Sequence, residues 1–351
     1  MKTVRVLLID DSATMRKLIR LALSRDPRLE VVGEASDARQ AVERIATLAP
    51  DVLTLDVEMP GLSGLDFLQR LMRSRPMPVV MVSSTTRAGS AAAVTALSLG
   101  AVDCVGKPEG PGDGRVFPDL AEKLLVAAGA NLSARLARPG EERNPGNPPA
   151  CRGWNGCVLL IGASTGGVDA LERLLRGFPP DCPPTVIVQH MPDNFLASFA
   201  GRLDATIAPQ VTRATDGAPL LQGCVMLAPG EGRHLHLHPG RVPFCRLQPG
   251  DKRNGHRPSV DVAFESALFM APRVIAALLT GMGRDGAEGL LALRGKGAAT
   301  LAQDAGSSVI WGMPRAGWEN GGAEVLVPID AMAEAMLLRA ACTPRAGARP
   351  S

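Results

Sequence analysis

The stretch Cys157-Val158-Leu159-Leu160-Ile161-Gly162-Ala163-Ser164-Thr165-Gly166-Gly167-Val168-Asp169-Ala170-Leu171-Glu172-Arg173-Leu174-Leu175-Arg176-Gly177 changes its period halfway along. Val158 to Ile161 is a continuous apolar run, as expected of a strand buried on both faces. Val168, Leu171, Leu174 and Leu175 then recur at helical spacing, and Gly177 is placed to stop the helix. The six residues Gly162 to Gly167 between them read as a tight turn, which puts Ser164 on a sharp strand-to-helix corner at the carboxyl edge of a parallel sheet. Three readings of this corner stand side by side. Gly162-x-Ser164-x-Gly166 fits a nucleophile elbow. A dinucleotide loop would have a glycine where Ser164 stands, so that the backbone could approach a pyrophosphate. The third reading is a βα turn with no chemistry.

At 351 residues the chain is long enough for two domains, each with its own core. No run of 18 or more apolar residues occurs, so nothing is expected to enter a membrane. Met1-Lys2-Thr3-Val4-Arg5 runs straight into a strand and does not read as a signal peptide. A net charge of +3 is too small to argue for nucleic acid. The seven cysteines are odd in number and form no C-x-x-C pair, which fits free thiols in a reducing cytoplasm.

Before the Ser164 stretch, from Met1 to about Ala128, strand and helix patterns alternate five times. Val4–Ile9, Glu30–Gly33, Asp51–Leu55, Pro78–Val82 and Ala101–Val105 read as strands. Helices are expected over Ala13–Leu23, Ala38–Leu48, Gly64–Met72, Gly89–Leu99 and Asp119–Val126. Five βα units with short loops imply a doubly wound parallel sheet, which binds ligands at the carboxyl ends of its first and third strands. Asp10 and Asp11 end the first strand there and Asp56 the third. Three converging carboxylates repel one another unless a hard cation such as Mg²⁺ joins them. Ser83 and Lys107 end the fourth and fifth strands. The set is suited to placing a phosphoryl group on Asp56, with metal and ammonium neutralising its charge. The plainer alternative is that Asp10 and Asp11 cap the next helix.

This half resembles a response-regulator receiver domain. Asp10, Asp11, Asp56, Ser83 and Lys107 stand where that family has its acidic pair, phospho-acceptor, hydroxyl and lysine, and Cys104 stands where many receivers have an aromatic switch residue. The resemblance implies a flavodoxin-like (βα)5 fold and Mg²⁺-dependent phosphorylation. With no phosphate-binding loop for ATP in the chain, the expected donor is a histidine kinase.

From Gly129 to Gly156 proline, glycine and charge accumulate and the periodicity breaks, as in an exposed connector. The expected division is therefore receiver 1–128, linker 129–156 and second domain 157–345.

In the second domain, Thr185 to Val188 is another buried strand, ending in Gln189-His190. If it neighbours the strand before Ser164, the two are parallel and His190 shares the serine's edge. An imidazole there is a candidate base. Arg273–Leu279 reads as a strand leading into Thr280-Gly281-Met282-Gly283-Arg284-Asp285-Gly286. Asp285 is the preferred orienting acid, against a rival role as helix cap, and Asp304 is the other strand-end acid. The N–H groups of Met282 or Gly283 are placed to serve an oxyanion. A β-rich insert is expected over roughly Val225–Leu247. Within it Arg233-His234-Leu235-His236-Leu237-His238 alternates, so that three histidines share one face. A metal site and a solvated face are the alternatives, the solvated face being preferred. Ser259 is a plausible helix cap, and His256 and Arg257 are candidates to line a substrate groove.

This half resembles the catalytic domain of the chemotaxis protein-glutamate methylesterases, the CheB family. G-A-S-T-G-G at 162–167, Q-H-M-P at 189–192, H-R-P-S-V-D at 256–261 and L-T-G-M-G-x-D-G-A at 279–287 occur in order. The resemblance implies a cytoplasmic, phosphorylation-activated hydrolase acting on glutamyl methyl esters and glutamines of chemoreceptors. Its triad would be Ser164, His190 and Asp285, supported by Thr165, Met282 and Gly283, with no cofactor for the esterase chemistry. The rival from another class is a non-catalytic regulator whose second domain binds a nucleotide or a protein.

Overall fold

The computed structural model describes residues 3–84, 87–108, 117, 119–136, 154–230 and 232–342. The chain divides into two compact units, Met1–Leu136 and Ala137–Ser351.

The first unit runs β1 (Val4–Ile9), α1 (Ala13–Leu23), β2 (Leu29–Ala35), α2 (Ala38–Leu48), β3 (Val52–Asp56), α3 (Gly64–Ser74), β4 (Val79–Ser83), α4 (Arg87–Leu99), β5 (Asp103–Gly106), α5 (Leu120–Ala128) and the short α6 (Ser133–Leu136). Its strands pair in parallel in the order β2-β1-β3-β4-β5. This is the expected (βα)5 arrangement. β3 and β4 are buried at every residue, because helices cover both faces of such a sheet. Ser12, Asp37 and Ser63 cap α1, α2 and α3, each accepting a hydrogen bond from a backbone N–H of the first turn. The rival role for Asp10 and Asp11 as caps of α1 is thereby excluded, since Ser12 fills it. A Cβ on Gly64 would fall 1.9 Å from the Asp56 carbonyl oxygen, so α3 can start this close to β3 only on a glycine.

The second unit continues with β6 (Val158–Ala163), α7 (Gly167–Leu175), β7 (Thr185–Gln189), α8 (Asp193–Thr206), β8 (Gln210–Arg213), β9 (Cys224–Leu227), β10 (Arg233–His238), β11 (Phe244–Pro249), α9 (Val260–Ser266), β12 (Val274–Leu278), α10 (Ala287–Gly295), β13 (Ala299–Gln303), α11 (Met313–Glu319), β14 (Val325–Val327) and α12 (Ile329–Cys342). Seven strands form a wholly parallel sheet in the order β14-β13-β12-β6-β7-β9-β8. The extent of the insert needs correcting. Cys224–Leu227 belongs to this main sheet, beside β7, and only the antiparallel pair β10–β11 stands apart. The C-V-M-L run of β9 pairs in parallel on both sides, and its buried Val225, Met226 and Leu227 find their place in the main core.

Most of the connector expected over 129–156 lies outside the described residues. Trp154 and Asn155, at its end, are anchored: Trp154 Nε1 donates to the Cys157 carbonyl at 2.7 Å and Asn155 Nδ2 to the Ala340 carbonyl at 2.7 Å.

Candidate active site

In the first unit the acids meet where β1 and β3 part company. Asp10 and Asp56 are buried, and Asp11 is exposed. One ligand oxygen from each lies within 4.8 Å of the others. Lys107 Nζ stands 2.7 Å from Asp56 Oδ2 and 3.1 Å from Asp10 Oδ2. The second of these is a charge contact without hydrogen-bond alignment, so Asp10 Oδ2 is left as a buried acceptor with no hydrogen bond aimed at it. Burial pushes the Asp56 carboxyl up; the Lys107 hydrogen bond opposes this and the Asp10 charge reinforces it, leaving it above the ordinary carboxylate range. Burial pulls the Lys107 ammonium down, but Asp56 and Asp10 more than compensate and raise it. An orphaned buried oxygen among three carboxylates, with one cation against two of them, fits a hard divalent ion. Ser83 is at the same rim, its hydroxyl donating to the Gly89 carbonyl at 3.0 Å. The Cys104 thiol is buried and pushed up to about 12 by burial, so it is a neutral packing group.

In the second unit β6 and β12 are neighbours from which the chain departs in opposite directions, which makes their carboxyl ends the switch point of this sheet. The corner after β6 is braced from both sides. The Ser164 N–H donates to the Thr280 carbonyl at 3.0 Å, and the Gln189 amide donates to the Ser164 carbonyl at 2.9 Å. The strand runs on through Ala163, so the turn is tighter than its glycines suggest: α7 begins at Gly167. Gly166 has φ +79°, and a Cβ there would press to 2.8 Å on Val309. Gly281, just beyond β12, comes so near that a Cβ would lie 2.7 Å from the Ser164 Cβ.

Ala163 pairs with Gln189 in the β6–β7 register, and the His190 N–H donates to the Ala163 carbonyl at 3.0 Å. Ser164 and His190 are therefore the next residues of two adjacent strand ends. The imidazole is almost wholly buried, and its Nε2 lies 2.9 Å from Asp285 Oδ2. A carboxylate can only accept, so Nε2 carries the hydrogen. Nδ1 is buried and has no hydrogen-bond partner, Ser164 included. A neutral imidazole held this way can accept a proton at Nδ1, and the missing contact to Ser164 does not argue against that, since catalytic hydrogen bonds are commonly slack before substrate binds. His256 stacks on the imidazole with ring centroids 3.6 Å apart and planes 6° from parallel.

Asp285 is not the cap of α10. Gly286 holds that position and makes no side-chain cap bond. The buried Asp285 carboxylate instead faces the start of α9. Its Oδ1 accepts from Ser259 Oγ at 2.7 Å, Asp261 N at 3.2 Å and Asn254 Nδ2 at 3.2 Å, and its Oδ2 accepts from Val260 N at 2.7 Å as well as from His190. Burial alone would raise this carboxyl; His190, Ser259 and Val260 overcome it and hold it well below the ordinary carboxylate range. Asp304 is engaged elsewhere, where its Oδ1 accepts from the Ser307 N–H and the Ser307 hydroxyl.

The N–H groups of Met282 and Gly283 make no hydrogen bond among the described residues, and the Met282 side chain is 40% exposed, so this turn is open at the mouth of the site. Thr165 follows Ser164, its carbonyl accepting from Thr280 Oγ1 at 3.0 Å. Arg257 is drawn off to the Gly250 carbonyl at 2.6 Å. The histidine strand corrects one expectation at one end only: His234 is covered, while His236 and His238 are half-buried. His234 is 4% exposed, and burial lowers the His236 imidazole, with the neighbouring histidines adding to the shift. Ser259 caps α9 as expected, but its contact with Asp285 was not foreseen, nor were the roles of Gln189 and Asn254. A polar residue closing the otherwise apolar strand T-V-I-V-Q was the available signal for Gln189.

An α/β protein with an acidic pocket in one unit and a serine, a histidine and an aspartate gathered at the switch point of the other has the layout of a receiver joined to a hydrolase. Residues 6–115 match the response regulator receiver domain family and residues 159–336 the CheB methylesterase family. A protein-glutamate methylesterase/protein-glutamine glutaminase of Agrobacterium fabrum is 51% identical over 336 residues, 95% of each chain. One of Caulobacter vibrioides is 48% identical over 342 residues, 96% of this chain and 98% of the relative. The crystal structure of the Thermotoga maritima CheB methylesterase catalytic domain, 36% identical, superposes with a TM-score of 0.51 over 52% of this chain and 98% of its own. The chain belongs to the protein-glutamate methylesterase/protein-glutamine glutaminase family of response regulators.

Proposed function

We propose that Ser164, His190 and Asp285 hydrolyse the γ-methyl esters of glutamyl side chains, and the amides of glutamine side chains, on the cytoplasmic helices of chemoreceptors. The observation that carries this reading is the His190 ring, tied at Nε2 to a buried carboxylate and open at Nδ1, one strand away from Ser164. Ser164 Oγ attacks the acyl carbon while His190 Nδ1 takes its proton. Asp285 keeps the imidazole in the Nε2–H tautomer and stabilises the imidazolium that forms. The N–H groups of Met282 and Gly283, with the Thr165 turn, receive the oxyanion. Collapse of the tetrahedral species expels methanol or ammonia, which leaves with the Nδ1 proton. Water then gives a proton to Nδ1 and attacks the acyl-serine, and glutamate is released as Ser164 Oγ leaves with that proton. No metal or cofactor enters these steps.

Asp56 is the phospho-acceptor, and a chemotaxis histidine kinase in the cytoplasm is the donor. Asp10, Asp11 and Asp56 would hold Mg²⁺, which would supply positive charge against the transferred group. Lys107 and Ser83 contact the phosphoryl oxygens. The domain division proposed is 1–128, 129–156 and 157–345.

A serine-reactive fluorophosphonate tests the reading: it should label the chain stoichiometrically, and Ser164→Ala should abolish the label. A chain that is not labelled and releases neither methanol nor ammonia from methylated receptor would be a non-catalytic regulator, the rival reading.

A further inference from the structure

The histidine strand is the one sequence motif that the hydrolytic reading leaves idle. His234 is buried, and both its nitrogens are engaged. Nε2 lies 2.7 Å from the Asp251 carbonyl, and Nδ1 lies 3.2 Å from the Ser259 N–H. A carbonyl can only accept and an N–H can only donate, so the neutral Nε2–H tautomer satisfies both contacts. Ser259 is the cap of α9, and its hydroxyl donates to Asp285 Oδ1 at 2.7 Å. The next two backbone N–H groups, of Val260 and Asp261, also donate to Asp285. A continuous chain of contacts thus runs from His234 through Ser259 to Asp285 and on to His190. The strand is held against α9 at its far end too, where the Leu237 N–H donates to Ser266 Oγ at 2.8 Å. Tight packing fixes the ring: a Cβ on Gly250 would come within 3.0 Å of His234 Cδ2.

We propose that His234 is a positioning residue of the hydrolase, acting through Ser259 to set the angle at which Asp285 presents Oδ2 to His190. The inference rests on the triad reading above. Ser259 N–H is the amide immediately before the two that grip the Asp285 carboxylate. With His234 lost, that buried N–H has no acceptor, and the turn carrying the hydroxyl and both amides is free to shift. The carboxylate follows, and with it the Nδ1 that must face Ser164. His236 and His238 share the strand face but not the contact. His238 Nε2 meets Gln248 at 3.5 Å and its ring lies 5.8 Å from that of Phe244, and among the described residues no hydrogen bond links His236 or His238 to Asp285.

The test uses the full chain and the fluorophosphonate, reading the limiting rate of Ser164 labelling separately from the concentration that half-saturates it. His234→Gln carries an acceptor and a donor in place of both ring nitrogens, and Ser259→Thr keeps the hydroxyl; both should stay within about 3-fold of the parent rate, while His234→Leu and Ser259→Ala should lower it by about 10- to 100-fold with half-saturation unchanged. His238→Leu should leave it unchanged, which separates positioning from general damage to the strand. On an Asp285→Asn background, His234→Leu should lower the rate no further, because its effect passes through that carboxylate. Labelling counts only folded sites; should His234→Leu not fold, the Ser259 pair and His234→Gln decide the matter. A parent-like rate in Ser259→Ala or His234→Leu, a His234→Gln as slow as His234→Leu, or an undiminished effect on the Asp285→Asn background overturns the proposal while the triad stands. An Asp285→Asn variant that labels at the parent rate overturns the triad reading, and this proposal with it.

Discussion

Asp285 and Asp304 both follow buried strands, and their side-chain contacts separate them. Asp285 meets His190 and the first amides of α9; Asp304 closes a turn around Ser307. Ser164→Ala and His190→Ala should lower ester turnover by several orders of magnitude, and Asp285→Asn by about 10³- to 10⁴-fold, since the wrong tautomer is then favoured. Asp304→Asn should change it little; methanol release from methylated receptor measures all four, and a crippling Asp304→Asn with a mild Asp285→Asn would reverse the assignment. Asp285 also has a signature in stability. Its folded-state carboxyl is held below the unfolded one, so its contribution is complete above the unfolded value of about 3.9 and is lost as pH falls through the folded value. The stability gap between parent and Asp285→Asn in urea unfolding should therefore be constant from pH 7 to 5 and narrow below about pH 4. A gap that is the same at pH 7 and pH 3 would show that the carboxylate is not specially stabilised.

At the scale of elements the site depends on how closely β6 and the end of β12 approach. Gly281 makes that approach possible: an added Cβ would meet Met313 Sδ at 2.5 Å and Ser164 Cβ at 2.7 Å. The thioether can swing away, but the serine corner is fixed by Thr280, Gln189 and the start of α7. Gly281→Ala should cost about 1–3 kcal/mol in urea unfolding, and displacing Ser164 by a fraction of an ångström should cost about 10²-fold in labelling by fluorophosphonate. Parent-like labelling would mean that the corner relaxes freely. Gly283 is the contrast within the same loop. A Cβ there meets nothing within 4 Å, but its φ of +81° is the glycine-favouring region, so its requirement is conformational and not one of space.

At the scale of the molecule the two units carry chemistries that share no residue, and they should separate under simple treatments. Asp56→Asn should remove activation by a small phosphodonor and leave unstimulated ester hydrolysis intact. A chelator should do the same, because the acidic pocket is in the receiver unit and the hydrolytic steps proposed for Ser164, His190 and Asp285 use no ion. Loss of unstimulated hydrolysis on chelation, restored by zinc, would point to a metal role for the histidines of β10. Among the described residues the three-acid group is the one set of three or more ligands brought together, and those histidine rings stand 6.5 Å apart.

Much of this was legible in the amino-acid order because it depends on local rules. Apolar runs of four to six residues followed by helical spacing specify βα units, and acids at the ends of strands in such units must gather at one edge. That sufficed for the (βα)5 receiver, for Asp10, Asp56 and Lys107 around one pocket, and for Ser164 at a strand-to-helix corner. What the tertiary structure alone decided depends on contacts between segments far apart in the chain. C-V-M-L of β9 has the same pattern whether it joins an insert or the main sheet, and only pairing with β7 tells them apart. A histidine alternating with leucines reads as solvated until another element covers its face, as α9 and the loop after β11 cover His234. The hydrogen bonds that hold Asp285 come from residues 24 to 31 positions away and, at His190, from 95 positions away. Period and composition report how one segment meets water or a core; which segment supplies the donor to a buried carboxylate is fixed only when the chain has folded back on itself.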